Sequence, residues 1–142
     1  MKSVKFFELF LLALVGSLLL AFTNANGQQL NDFSLRPLQV SYADVPAIAS
    51  STDPAVVLQV IYADSCYEFF QSRVSRQLNS EQKLIEIRPY ATVVRGMCQQ
   101  RIQNVQKTVL LGTLPQGQYT VRIYSVGREP IEKPMSIRST NN

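Results

Sequence analysis

From residue 37 onward, apolar and polar positions alternate in short runs broken by Pro, Gly, Asn and Ser, a two-residue period that predicts strands. A first strand is expected near Pro37, Leu38, Gln39 and Val40. Residues 44–54, with two prolines and a Ser-Ser-Thr run, read as a connector. The clearest strand covers residues 55–63. Val56, Leu58, Val60 and Tyr62 share one face and Val57, Gln59 and Ile61 the other, which predicts a central strand covered on both sides.

Residues 66–78 fit two periods. Phe70, Val74 and Leu78 recur every fourth position, as on a helix face, yet all are even and also share one face of a strand. A turn at residues 79–82 followed by Leu84, Ile85, Glu86, Ile87 and Arg88, with Pro89 ending the run, favours a hairpin. Further strands are expected at residues 105–111 and 118–126, and a short closing strand at 135–137 after a loop at 127–134.

Leu114, Pro115, Gln116 and Gly117 carry turn chemistry just before Tyr119. In immunoglobulin-like sandwiches, a tyrosine at the start of a late strand folds its hydroxyl back onto nearby backbone and pins the corner between sheets. Leu114, Gly117 and Tyr119 are the residues assigned to such a corner. About seven strands without a convincing long helix predict an all-β chain, an Ig-like antiparallel β-sandwich.

The first residues follow another pattern. Lys2 and Lys5 precede an almost wholly apolar stretch to Phe22, and small residues around Ala25 end it. Basic start, apolar middle and small-residue exit describe a secretory signal peptide cleaved near Ala25. The uninterrupted apolar run, 9–22, is shorter than the roughly 20 residues needed to span a bilayer. No lipidated Cys or basic stop-transfer cluster follows, so stable membrane insertion after cleavage is not expected. The organisation expected is a signal peptide at 1–25, an N-terminal extension with a first strand at 26–50, the sandwich at 51–138 and a tail at 139–142. Location is expected to be secreted or periplasmic.

Cys66 and Cys98 are the only thiols, and an even count in an exported chain points to a structural disulfide, worth roughly 3 to 4 kcal/mol for a loop of this length. Two thiolates without histidine fall short of a zinc site, and their spacing is not that of a redox motif.

From Asp64 onward, the order of features resembles small exported bacterial domains with Ig-like sandwich folds, many of unknown function. Those features are Asp64-Ser65-Cys66, the hairpin to Ile87, Gly96-Met97-Cys98, and Leu114-x-x-Gly117-x-Tyr119-x-Val121. The resemblance spans roughly residues 55–125 and brings no catalytic residues. Many such domains sit on lipoproteins, and this chain lacks the lipidated Cys.

Fourteen basic against ten acidic residues give a net charge of +4, and removing residues 1–25 lowers it by one. The arginines are scattered, with no basic run or nucleic-acid motif, so no nucleic-acid partner is expected. The chain contains no histidine, which removes Ser-His-Asp and Cys-His catalysis and most zinc sites. No phosphate-binding or nucleophile-elbow motif is present, and no cofactor is expected. A carboxylate pair drawn from Asp64, Glu68 and Glu86 is the one hydrolytic route left.

If residues 66–78 form a strand, Tyr67, Phe69 and Arg73 fall outward, joined on the next strand by Glu86, Arg88 and Tyr90. Aromatics mixed with arginine are typical of interface hot spots. Tyr67, Phe69, Arg73, Arg88 and Tyr90 are thus the candidate binding surface. The expected role is a non-enzymatic interaction or structural module of the cell envelope, partnered by another envelope or secreted protein or by itself. The alternative is a protease inhibitor presenting residues 90–96 or 127–134 as a loop.

Overall fold

A computed structural model describes residues 33–79 and 81–139; residues 1–25, expected to be a signal peptide, lie outside them. Nine strands occur there and no helix: β1 (Phe33–Pro37), β2 (Gln39–Asp44), β3 (Ile48–Ser50), β4 (Ala55–Tyr62), β5 (Tyr67–Gln77), β6 (Lys83–Val94), β7 (Gln103–Leu110), β8 (Gly117–Ser125) and β9 (Arg128–Arg138). They form two sheets. β2, β4 and β7 make the smaller one, in that order. In the larger one β6 carries β5 on one edge. Its other edge is shared end to end by β8, along residues 83–87, and β1, along residues 90–94. β9 and then β3 continue beyond β8.

The chain is thus an all-β sandwich. Seven of the nine strands lie close to the segments expected; β1 and β3 are additional, and two pairings, β6 with β8 and β3 with β9, are parallel. Parallel pairing needs a long crossover. Here the path from β6 to β8 runs through β7 in the other sheet.

Alternation explains the core. Val56, Leu58 and Val60 of β4, Ile85, Ile87 and Ala91 of β6, and Val121 and Ile123 of β8 all point between the sheets and are fully buried. Val57 and Ile61 on the other face of β4 are only half-buried and Gln59 is exposed, so this strand is central in its sheet but covered on one side. At about 25 cal/mol per Å² of apolar surface removed from water, the single buried face supplies the main driving force.

The hairpin favoured for residues 66–88 forms, with Tyr67–Gln77 as its first strand. Several other local expectations are revised. The register of β5 against β6 slips between Tyr67 and Phe70, a bulge that places one extra residue on β5. A bulge inverts the alternation on one side of it. Tyr67 therefore turns inward, where it packs on the core and stacks on Tyr62 with ring centres 5.7 Å apart, instead of joining Phe69 and Arg73 outside.

Pro89 does not end its strand. Its carbonyl accepts the Leu38 amide at 3.0 Å, which points that side of the residue at the junction where β8 pairing has stopped and β1 pairing begins. A residue without an N–H is tolerated where no ladder partner awaits one. β9 likewise extends back through the expected loop, pairing with β8 from residue 128 after a turn at Gly127, whose φ is +69°. Ser136 donates toward β3, so Pro134, of the same parity, turns its donorless nitrogen to the free edge of β9.

β1 and β2 are one extended segment that changes sheet at Leu38. That residue is 2% exposed and is held by hydrogen bonds to Pro89 and Val126. Residues 33–50 are consequently integral to both layers. They are no extension preceding a domain that begins at 51.

Candidate functional site

Cys66 and Cys98 form a disulfide, with 5.4 Å between their Cα atoms, joining the start of β5 to the segment after β6. Asp64 accepts the Cys66 amide at 2.8 Å, closing a local turn. These three side chains lie close together, but both sulfurs are engaged with each other, leaving no thiolate for a metal. A cleft of about 420 Å³ opens beside the disulfide, lined in part by Ser34, Arg36, Asp64, Tyr67 and Arg95.

At the opposite end Tyr119 donates its hydroxyl to the Pro115 carbonyl at 2.6 Å, and Leu114 is buried beside it. Gly117 has φ of +147°, and a Cβ there would meet the Lys83 ammonium at 2.7 Å. That ammonium, at the end of a flexible side chain, bonds the Gln116 carbonyl at 2.8 Å and can shift, so it is the positive φ that calls for glycine here.

The densest chemistry lies on the outer face of the six-stranded sheet. Register places Arg73 directly opposite Arg88, Gln71 opposite Tyr90 and Ser75 opposite Glu86. The parallel pairing sets Glu86 beside Arg122, and Arg122 opposite Glu132 of β9. The Arg88 guanidinium sits 3.6 Å above the centre of the Tyr124 ring, and Arg73 lies 5.6 Å from that of Tyr90. Tyr124 in turn donates to Glu86 Oε1 at 2.5 Å. The same oxygen lies 3.8 Å from Arg88 and 3.9 Å from Arg122. Arg122 closes the row with a 2.6 Å bond to Glu132. That bond, followed by one with Tyr124 and by the field of Glu132, holds the Arg122 guanidinium above its ordinary pKa.

Beside this row is a cleft of about 170 Å³, at the junction of β1, β6 and β8. Pro37, Leu38, Pro89, Tyr90, Tyr124 and Val126 supply apolar surface and Arg88 lies at its side.

Of the residues expected to share a binding surface, Arg73, Arg88 and Tyr90 are brought together. Phe69 is 63% exposed and stands at the bulge on the same strand as Arg73, whereas Tyr67 belongs to the interior. Tyr124, Arg122 and Glu132 complete the row without having been singled out. Alternation already put Arg122 and Tyr124 outward, but only the parallel β6–β8 pairing brings them to Arg88 and Glu86.

Asp64 and Glu86 do not form a pair. Asp64 lines the disulfide-end cleft with Val93, while Glu86 lies seven residues from Val93 along β6, roughly 23 Å away in an extended strand. Residues 90–94 and 128–134, expected as presented loops, are mainly strand.

A family model of the ORF11 beta-sandwich domain matches residues 56–132. The chain belongs to this family. The ORF11 beta-sandwich match runs from β4 into β9 and holds both cysteines and every member of the arginine–tyrosine row. The strands β1 to β3 precede it. No curated protein and no solved structure matches the chain.

Proposed function

We propose that this chain is an exported, non-enzymatic β-sandwich module, Ig-like in character, that works by binding another protein through the outer face of its six-stranded sheet. The observation that carries the reading is the row on that face: two arginines set over two tyrosines, flanked by the exposed Phe69. Tyrosine and arginine dominate interface energetics because each presents a large, semi-rigid surface with a polar tip. Export is supported by the basic and apolar leader pattern, the small residues at Ala25 and the disulfide. The Ig-like reading draws on the two-layer architecture and the hydrogen bond from Tyr119 back to Pro115. In support of a non-enzymatic role, the chain has no histidine, and the carboxylate of Glu86 is engaged by Tyr124 and two arginines.

The test is affinity capture with the processed protein from its own envelope or secreted fraction, followed by mass spectrometry and intact-mass analysis. One stoichiometric protein partner and a mass lacking residues 1–25 are expected. Hydrolysis of a glycan or peptide by the purified chain, with no partner retained, would overturn the proposal.

A further inference from the structure

We propose that Arg73 and Arg88 form a clamp for carboxylates in an acidic segment of the partner protein, with a neighbouring apolar side chain of that segment seated in the cleft beside Tyr124. This deepens the interaction-module reading and rests on it.

The first ground is the register. Arg73 and Arg88 are directly opposed on adjacent antiparallel strands, an arrangement that disfavours folding when both members carry like charge. Among the described residues Arg73 has no carboxylate within ion-pair distance, and Arg88 has only Glu86 at 3.8 Å. That Glu86 oxygen is engaged more closely by Tyr124, at 2.5 Å. The pair therefore keeps positive charge that the fold does not neutralise, and an anion arriving from outside would relieve it.

Presentation is the second ground. Each guanidinium is placed over a tyrosine ring, 3.6 Å for Arg88 on Tyr124 and 5.6 Å for Arg73 on Tyr90. Stacking restrains a long side chain, so less freedom is lost on binding, and the planar fork of donors matches a carboxylate's two oxygens. Arg88 keeps 45% of its side chain exposed.

The adjacent cleft decides which anion. Its volume of about 170 Å³ is close to that of a cavity known to hold one benzene-sized group, and its walls are mostly proline, leucine, valine and tyrosine, with Ser125 and Arg88 as the polar members. A phosphate polymer or an acidic glycan has nothing apolar to place there. A peptide with Asp or Glu beside Phe, Leu or Pro does. The net charge, +4 for the full sequence and +3 without residues 1–25, favours encounter with such a segment.

The experiment uses the protein recovered from an exporting host, immobilised and challenged with a randomised heptapeptide library. Enriched sequences are then titrated in solution, beside vesicles of phosphatidylcholine with phosphatidylglycerol and beside a sulfated glycan. Enrichment of acidic residues next to an apolar one is expected. Each of Arg73→Gln and Arg88→Gln should weaken the enriched peptide about tenfold, and added salt should weaken it further. Removing one of two opposed like charges should leave the melting temperature equal or higher, which separates lost binding from lost folding. Arg88→Lys, which keeps charge but not the fork, should show an intermediate loss. Enrichment without acidic bias, no enrichment, equal binding by the double variant that combines Arg73→Gln with Arg88→Gln, or tighter binding to vesicles or glycan would each overturn the clamp. A protein partner captured equally by wild type and double variant would remove the clamp and leave the module reading standing. Capture of no protein by the wild type would remove the module reading itself.

Discussion

The Tyr119 hydroxyl reaches back four residues to the Pro115 carbonyl, whereas the Tyr62 hydroxyl, equally interior, has no hydrogen-bond partner among the described residues. Two tyrosines of the same core thus carry opposite energetic weights. Tyr119→Phe removes a made bond and leaves a carbonyl short of a donor, and should cost about 1 to 1.5 kcal/mol in urea unfolding. Tyr62→Phe removes only an unsatisfied polar atom and should be neutral or slightly stabilising.

Burial raises the pKa of both phenols above the ordinary value of 10.0. In the unfolded chain they ionise near 10, so above that pH the unfolded state binds fewer protons and stability falls as pH climbs toward the folded-state values. Below about pH 10 the contribution is fully present. Melting temperatures measured across alkaline pH should decline more steeply for wild type than for Tyr62→Phe.

Breaking the disulfide should be costly. Cys66→Ser with Cys98→Ser frees a loop spanning 32 positions and should lose roughly 3 kcal/mol, read as a shift in denaturation midpoint. Reduction of the wild type should reproduce the loss.

Phe69→Ser should change stability by no more than about 0.5 kcal/mol, because the ring is 63% exposed. Partner affinity, measured by titration calorimetry, is expected to fall while the melting curve stays in place.

β5 and β7 each pair on one side only, so both offer a free edge. Lys107 of β7 points inward and holds its ammonium 5.9 Å from the Phe70 ring of β5. An inward charge on an edge strand discourages another strand from docking. Lys107→Val should therefore increase self-association in analytical ultracentrifugation without lowering stability.

Where apolar alternation met a single buried face, the sequence was readable: Tyr119, Val121 and Ile123 against Arg122 and Tyr124 lie as their spacing implies. What escaped it depends on partners. The bulge at residues 68–69 turns Tyr67 inward, and no local pattern marks it. Pro89 and Pro134 look like strand ends until the neighbouring edge is seen to need no donor. Three-residue β3 is too short to show a period. In the binding row, Arg73, Arg88 and Tyr90 were accessible from parity, but Glu132 joins only through its place opposite Arg122.

Leu38 gives the chain's beginning an unusual importance. Because one uninterrupted stretch supplies an outer neighbour to β6 and then an outer neighbour to β4, detaching it would strip both layers together. A polypeptide limited to residues 56–132 would keep the matched sequence yet lose its clasp, baring Val60 and the junction at Pro89 to solvent. Loss of residues 33–50 is accordingly a way to dismantle both layers at once.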